Sequence, residues 1–159
     1  MEEIKMNGPK ICFAASSGGH YEQIMMMRPL FGKYDSFVVT ERTKFGLDPK
    51  GVKMYLLSQV NRKEWKFPIL LIWNFLLSIR IILKENPDMI VSTGALSTIP
   101  LCIVMKLLGR RVLFMESFAN VSVGTKTGKL LYKLADKFYF QWKSLERVYP
   151  KGVFVGGIY

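Results

Sequence analysis

The sequence predicts an α/β domain built on an open, doubly wound parallel sheet (Rossmann-like). Three observations predict it. Short apolar runs alternate with helical stretches along nearly the whole chain, the pattern of strands joined by crossover helices. The runs are continuously apolar rather than alternating, as strands buried on both faces are. Small, glycine-bearing loops separate three of these runs from the helical stretches that follow.

The strand-like runs fall at 11–15, 36–40, 53–57, 89–92, 112–116, 137–141 and 153–155. The helical stretches fall at 21–31, 65–84, 97–108 and 124–135. Asn86-Pro87-Asp88 and Leu108-Gly109 punctuate helix ends, because proline cannot continue a helix and glycine closes one cheaply. Residues 43–51 form a polar loop with Gly46, Pro49 and Gly51. No linker, repeat or low-complexity tract divides the chain, so residues 1–159 read as one domain behind a short charged N-terminus at 1–9 that is expected to be flexible.

Composition narrows the function. Half the residues are hydrophobic, which excludes a disordered chain. The net charge is nevertheless +11, so the protein is expected to work against something negative, such as phospholipid, a phosphorylated substrate or nucleic acid. Cys12 and Cys102 both lie in apolar runs and read as core residues of a reducing compartment, not as a disulfide or metal pair. Residues 1–10 carry no signal-peptide apolar region.

The three loops are Ser17-Gly18-Gly19-His20, Ser92-Thr93-Gly94-Ala95-Leu96-Ser97 and Ser122-Val123-Gly124-Thr125-Lys126-Thr127-Gly128. Loops that follow strands of a parallel sheet gather on one edge, where ligands bind at the switch point. A helix N-terminus there directs N–H groups and a dipole at an anion. Each glycine alone also suits a tight turn; three loops with Ser and Thr donors together point to phosphate. A G-x-G-x-x-G fingerprint and a G-x-x-x-x-G-K-[ST] loop are both absent, and no D-x-D pair or Cys/His cluster supports a metal. Glu41 ends the second strand where a ribose-binding acid would lie, which keeps a nucleotide-dependent oxidoreductase as a remote alternative.

Residues 68–83 read PILLIWNFLLSIRIIL, apolar nearly all round, with Arg62, Lys63 and Lys66 before them and Lys84 after. Sixteen residues reach roughly 24 Å, short of a ~30 Å hydrocarbon core, and Arg80 adds a cost to spanning. An apolar helix with a basic collar can lie in the interface of an anionic membrane. Ile72, Trp73, Phe75, Lys63 and Lys66 are the expected contacts; burial between the sheet and another subunit is the alternative.

Several of these pieces recur in order: Ser16-Ser17-Gly18-Gly19-His20, Ser92-Thr93-Gly94-Ala95, Glu116-Ser117-Phe118, Gly128-Lys129-Leu130-Leu131-Tyr132, Ala135-Asp136 and Gln141-Trp142. The set resembles bacterial capsule and exopolysaccharide proteins of the PssD type. It is also similar to the acceptor-binding, membrane-recruiting subunit of the eukaryotic dolichol-linked UDP-N-acetylglucosamine transferase. Both groups are similar to the N-terminal half of the peptidoglycan lipid-intermediate glycosyltransferase. The resemblance covers about residues 10–159. It departs at Asn120, where many relatives would carry arginine, and no transmembrane anchor of the kind with which the eukaryotic subunit usually begins is expected here.

The resemblance implies a GT-B glycosyltransferase split into two polypeptides. This half would hold a polyprenyl-diphosphate-linked saccharide on the cytoplasmic face of the plasma membrane, as a peripheral protein, and a partner subunit would bring the nucleotide-sugar site. No cofactor, metal or nucleic acid is expected. An alternative is a non-catalytic membrane scaffold that enhances a complete transferase. Transfer requires a base for the acceptor hydroxyl and a cradle for its diphosphate. Ser17, Gly18, Gly19, Thr93 and Gly94 are the candidate cradle. His20, the only histidine, is the candidate base or a phosphate contact. Glu116 is the other candidate base, or a cap for the loop after it.

Overall fold

In the computed structural model the described residues are 8–43 and 51–158. The expected flexible N-terminus and the 43–51 loop fall mostly outside them. Seven strands, β1 (Ile11–Ala15), β2 (Ser36–Glu41), β3 (Lys53–Leu57), β4 (Met89–Gly94), β5 (Arg111–Met115), β6 (Lys137–Phe140) and β7 (Val153–Phe154), form one sheet in the order β3-β2-β1-β4-β5-β6-β7. Every neighbouring pair is parallel. β1 lies inside the sheet next to the central β4, with Ile11 in register with Ser36 on one side and Met89 on the other. The sheet is the expected doubly wound one.

Helices cover both faces. α1 (Gly19–Met26) lays Tyr21 and Ile24 over Ile11, Phe13, Ala15 and Val38. α2 (Phe67–Glu85), α3 (Ile99–Leu107) and α4 (Lys126–Leu131) cover the opposite face, where Cys12, Ala14, Phe37, Val39, Ile90, Val112 and Phe114 meet Ile81, Ile82, Leu101, Met105 and Leu131. Cys12 and Cys102 are free thiols fully buried in that core. Burial pushes both up, Cys102 to about 12, so neither ionises near neutrality.

The helices are shorter than the apolar periodicity suggests. α1 stops at Met26 and a single 3₁₀ turn, Arg28–Leu30, follows, because Pro29 has no N–H to extend the ladder. α2 begins at Phe67, with Pro68 in its first turn, and ends at Asn86 in the left-handed conformation ahead of Pro87. α4 spans only six residues, its start capped by Thr125 Oγ1 accepting from Gly128 N at 2.8 Å.

Candidate functional site

The chain leaves β1 toward β2 and leaves β4 toward β5, in opposite directions, so the loops after these two strands part at the carboxyl edge. The parting is laced together. Ser16 N donates to Gly94 O at 2.8 Å, and Thr93 Oγ1 donates to the His20 carbonyl at 2.9 Å. The first turn of α1 is thereby fixed against the end of β4. Beside it lies a hollow of about 550 Å³ lined by Ser16, Glu41, the 59–64 segment after β3, Ala95, Leu96 and Thr127.

Ser17, Gly18, Gly19, His20, Thr93 and Gly94 therefore come together, but not equivalently. Gly18 and Gly19 are exposed at the start of α1. Ser17 is half-buried and donates to Glu41 Oε2 at 3.4 Å. Thr93 and Gly94 are buried, and the Gly94 N–H donates to Ser92 Oγ at 3.2 Å. They support the turn from beneath rather than line its surface. Gly94 has φ +109, and a Cβ there would stand 3.0 Å from His20 Cε1 and 3.2 Å from Nδ1. Only glycine admits both that backbone and that ring.

His20 Nδ1 is buried without a hydrogen-bond partner. Burial lowers the pKa of the ring; a backbone hydrogen bond with Thr93 and the charges of Glu116 and Glu41 oppose the shift without cancelling it. The imidazole is thus neutral at pH 7, the form that accepts a proton. Gln23, one turn further along α1, is also buried with both amide atoms unpartnered.

Glu116, just past β5, is fully buried. Its carboxylate accepts from Ser117 N at 2.9 Å, Thr125 N at 3.1 Å, Thr125 Oγ1 at 2.9 Å and the Tyr149 hydroxyl. Burial and this carboxylate together hold the Tyr149 hydroxyl protonated far above its ordinary range. A Cβ on Gly128 would collide with Glu116 Oε2. Both oxygens are engaged, so the geometry is that of an anchor for the 117–125 loop. Trp142 Nε1 pins the same loop by donating to Phe118 O at 2.6 Å. Among the described residues, no three His, Cys, Asp or Glu side chains gather to hold a metal.

Helix α2 is inverted relative to a soluble amphipathic helix. Asn74 and Ser78 are 0% exposed and Glu85 is buried, while Ile69 is 61%, Ile72 63% and Leu76 54% exposed. Its inward polar groups are all bonded. Asn74 accepts from Ser58 N at 2.9 Å and donates to Ser58 O at 2.8 Å, and Ser78 Oγ donates to Asn74 O at 2.6 Å. Glu85 pairs with Lys10 at 2.9 Å and Lys53 at 2.6 Å and accepts from Tyr55. Burial opposes its ionisation, but bonds from Lys53, Tyr55 and Lys10 outweigh it and bring Glu85 down to about 2. α2 is strapped to the edge strand β3 by Asn74 and Glu85 and turns Ile69, Ile72, Trp73, Leu76 and Leu83 outward, while Ile81 and Ile82 pack in the core. It is long and apolar enough to cross a membrane by length and composition, yet the straps hold it on the domain.

Two expected membrane contacts are placed differently. Phe75 is half-buried and packs on the core, because it shares the inward side of α2 with Asn74 and Ser78. Lys63 lines the hollow, while Lys66 stays at the start of α2 with its Nζ 5.4 Å from the Trp65 ring centroid. Ile72 and Trp73 are exposed as expected. The apolar surface also includes Ile69, Leu76 and Leu83, with exposed Leu107 and Leu108 at the end of α3. The period of α2 could have grouped 69, 72, 73 and 76 on one side, but not identified that side as the outer one. In the 59–64 wall only the basic pair Arg62 and Lys63 carries a sequence signal; the segment follows β3 at the carboxyl edge, and Ser58 ties its start to Asn74.

A seven-stranded parallel sheet with its switch-point crevice defines the class: the Rossmann-like N-terminal half of a GT-B protein. The solved structure of MurG from Acinetobacter baumannii superposes with a TM-score of 0.67 at 17% identity, over 84% of this chain and 41% of that one. A UDP-N-acetylglucosamine 2-epimerase matches with a TM-score of 0.65 at 14% identity, over 91% and 45%. Within that class, the chain belongs to the family of oligosaccharide biosynthesis proteins described as Alg14 like, whose model matches residues 52–158. The human UDP-N-acetylglucosamine transferase subunit ALG14 is 34% identical over 88 residues, covering 52% of this chain and 41% of that protein. The rat subunit is 25% identical over 177 residues, covering 93% and 82%. A Chlorobium limicola UDP-N-acetylglucosamine--N-acetylmuramyl-(pentapeptide) pyrophosphoryl-undecaprenol N-acetylglucosamine transferase is 35% identical over 79 residues, or 48% of this chain and 21% of that one. The chain thus spans about two fifths of the human relative and of the solved MurG.

Proposed function

We propose that this protein is the acceptor-binding, membrane-docking subunit of a two-component glycosyltransferase. The pair transfers a sugar from a UDP-sugar to a polyprenyl-diphosphate-linked saccharide, in the service of capsule or exopolysaccharide synthesis. One arrangement carries the reading: the inverted helix α2 begins directly after the segment that walls the switch-point crevice. A ligand with an anionic head and a long apolar tail suits both surfaces at once. The relatives named as transferase subunits, and the match to half of a GT-B chain, support the division of labour. The protein sits peripherally on the cytoplasmic face of the plasma membrane, held by the outer residues of α2 and by Lys66.

In this reading the turn of Ser17, Gly18 and Gly19 receives the acceptor diphosphate at the start of α1, where the helix dipole favours negative charge. Thr93 and Gly94 fix the turn, and Arg62 and Lys63 add positive charge across the hollow. The acceptor oxygen attacks the anomeric carbon of the donor. The bond from that carbon to the UDP oxygen breaks, UDP leaves with the electron pair, and the hydroxyl proton passes to neutral His20. Glu116 positions the 117–125 loop through its four hydrogen bonds. The partner supplies the UDP site.

Co-expression with a candidate donor-binding partner, followed by assay of the pair with a panel of UDP-sugars and a lipid diphosphate saccharide, tests the reading. Transfer by the pair, with none by this chain alone, is expected. Calorimetric titration should show no UDP binding to the isolated chain; tight binding would overturn the split-enzyme assignment. Full activity of the partner alone would assign this chain to the scaffold role.

A further inference from the structure

A second hollow of about 500 Å³ lies between β3 and α2, lined by Arg42, Leu56, Ser58, Gln59, Trp73 and Leu77 among others. Gln59 lines the crevice as well, so the two hollows adjoin there. Trp73 belongs also to the outward apolar surface of α2, so the second hollow opens onto the proposed membrane side. Leu56, Leu57, Trp73 and Leu77 give it an apolar side, and Arg42, Ser58 and Gln59 a polar one. Ser58 N–H and C=O, which border it, are both taken by the Asn74 amide, so an apolar chain lying against them would leave neither unsatisfied. Exposed Leu56 and half-buried Leu77 supply apolar contact, and Arg42 stands at the rim as a cation for a phosphate.

We propose that this hollow seats the isoprenoid chain of the lipid diphosphate as it leaves the crevice, passing over Gln59 and between Leu56 and Trp73 into the bilayer. The proposal rests on the acceptor-binding reading and adds a path to it. The path explains why an edge strand carries an exposed leucine facing a helix whose polar residues are strapped inward. It makes Asn74 a positioning residue, since its clamp on Ser58 sets both the border of the path and the start of the crevice wall.

The test uses the full-length chain on vesicles containing phosphatidylglycerol, with a benzophenone-bearing geranylgeranyl diphosphate as photoprobe and peptide mapping by mass spectrometry. Label is expected on Leu56, Trp73 and Leu77, located to the residue by fragment-ion sequencing of the labelled peptides. Excess farnesyl diphosphate should displace it, and inorganic diphosphate should compete more weakly. Gln59→Trp, a plug at an exposed position, should reduce labelling about tenfold, the equivalent of losing a couple of buried methylenes. Leu56→Asp should act similarly, and both variants should still bind vesicles. Label confined to the outward Ile69, Ile72 and Leu76, or unchanged labelling of both variants, would overturn the path while competition by diphosphate left the acceptor site standing. Displacement by phosphatidylglycerol but not by farnesyl diphosphate would make the hollow a phospholipid seat and also overturn it. Absence of any displaceable label would remove the acceptor reading together with the path.

Discussion

At the scale of single residues, His20 and Glu116 divide the roles that a pair of titratable groups can take. The His20 ring lies on Gly94 with its pKa depressed by burial. A base whose pKa falls below the ordinary 6.5 is deprotonated at neutrality, so the acid limb of the rate profile should have its midpoint below 6.5. His20→Ala in the reconstituted pair should lower turnover by about 10²-fold with little change in acceptor affinity. A loss in affinity alone, partly restored by His20→Asn, would make the ring a phosphate contact instead. Glu116 is expected to act on folding. Glu116→Gln places an amide N–H₂ among four donors, and the unmet groups should cost about 1–3 kcal/mol. Denaturant unfolding measures that loss, and turnover of folded enzyme should fall less than for His20→Ala.

At the scale of elements, α2 carries the clearest physical contradiction, with Asn74 and Ser78 inside and Ile69, Ile72 and Leu76 outside. Water would oppose that arrangement; an apolar interface favours it. Replacing Ile69, Ile72 and Leu76 with Ser should release the protein from anionic vesicles and leave its unfolding midpoint nearly unchanged. Phe75→Ser should do the reverse, keeping vesicle binding and costing about 2 kcal/mol of stability, because this ring packs on the core. Sedimentation with vesicles separates the two, and binding by the parent should weaken as salt rises. Vesicle binding by the triple Ser variant equal to the parent would reassign the membrane face.

Across the whole molecule, the strap at the amino edge of the sheet predicts how the fold responds to acid. Glu85 joins Lys10 before β1, Lys53 on β3 and the end of α2. Its folded pKa of about 2 lies below the ordinary carboxylate value near 4.5. A depressed folded pKa contributes stability that is fully present above about pH 4.5 and is lost as pH falls toward 2. The unfolding free energy of the parent should therefore decline across that window more steeply than that of Glu85→Gln, and the two curves should converge near its lower end. Parallel curves would show that the pair with Lys53 and Lys10 adds nothing to folding.

The residues by themselves determined the sheet and which loops meet at its carboxyl edge. Inner strands of a parallel sheet are buried on both faces and read as near-continuous apolar runs, while the edge strands β3 and β7 keep exposed residues; all seven could be located from the order of such runs, with differences of one or two residues at their ends. The Ser17 to His20 turn and the Thr93-Gly94 pair could be assigned to one crevice because parallel topology sends every such loop to the same edge. Only the tertiary structure decided the rest. A helix apolar nearly all round has no legible inner side, so Phe75 turns toward the core and Ile69 outward once Asn74 and Ser78 find Ser58 and the α2 backbone as partners. The surroundings of Glu116 are assembled from Ser117, Thr125, Gly128 and Tyr149, the last of them 33 positions away. Whether a carboxylate is a base or an anchor depends on which donors fold against it, and that is a property of three-dimensional contact rather than of sequence spacing.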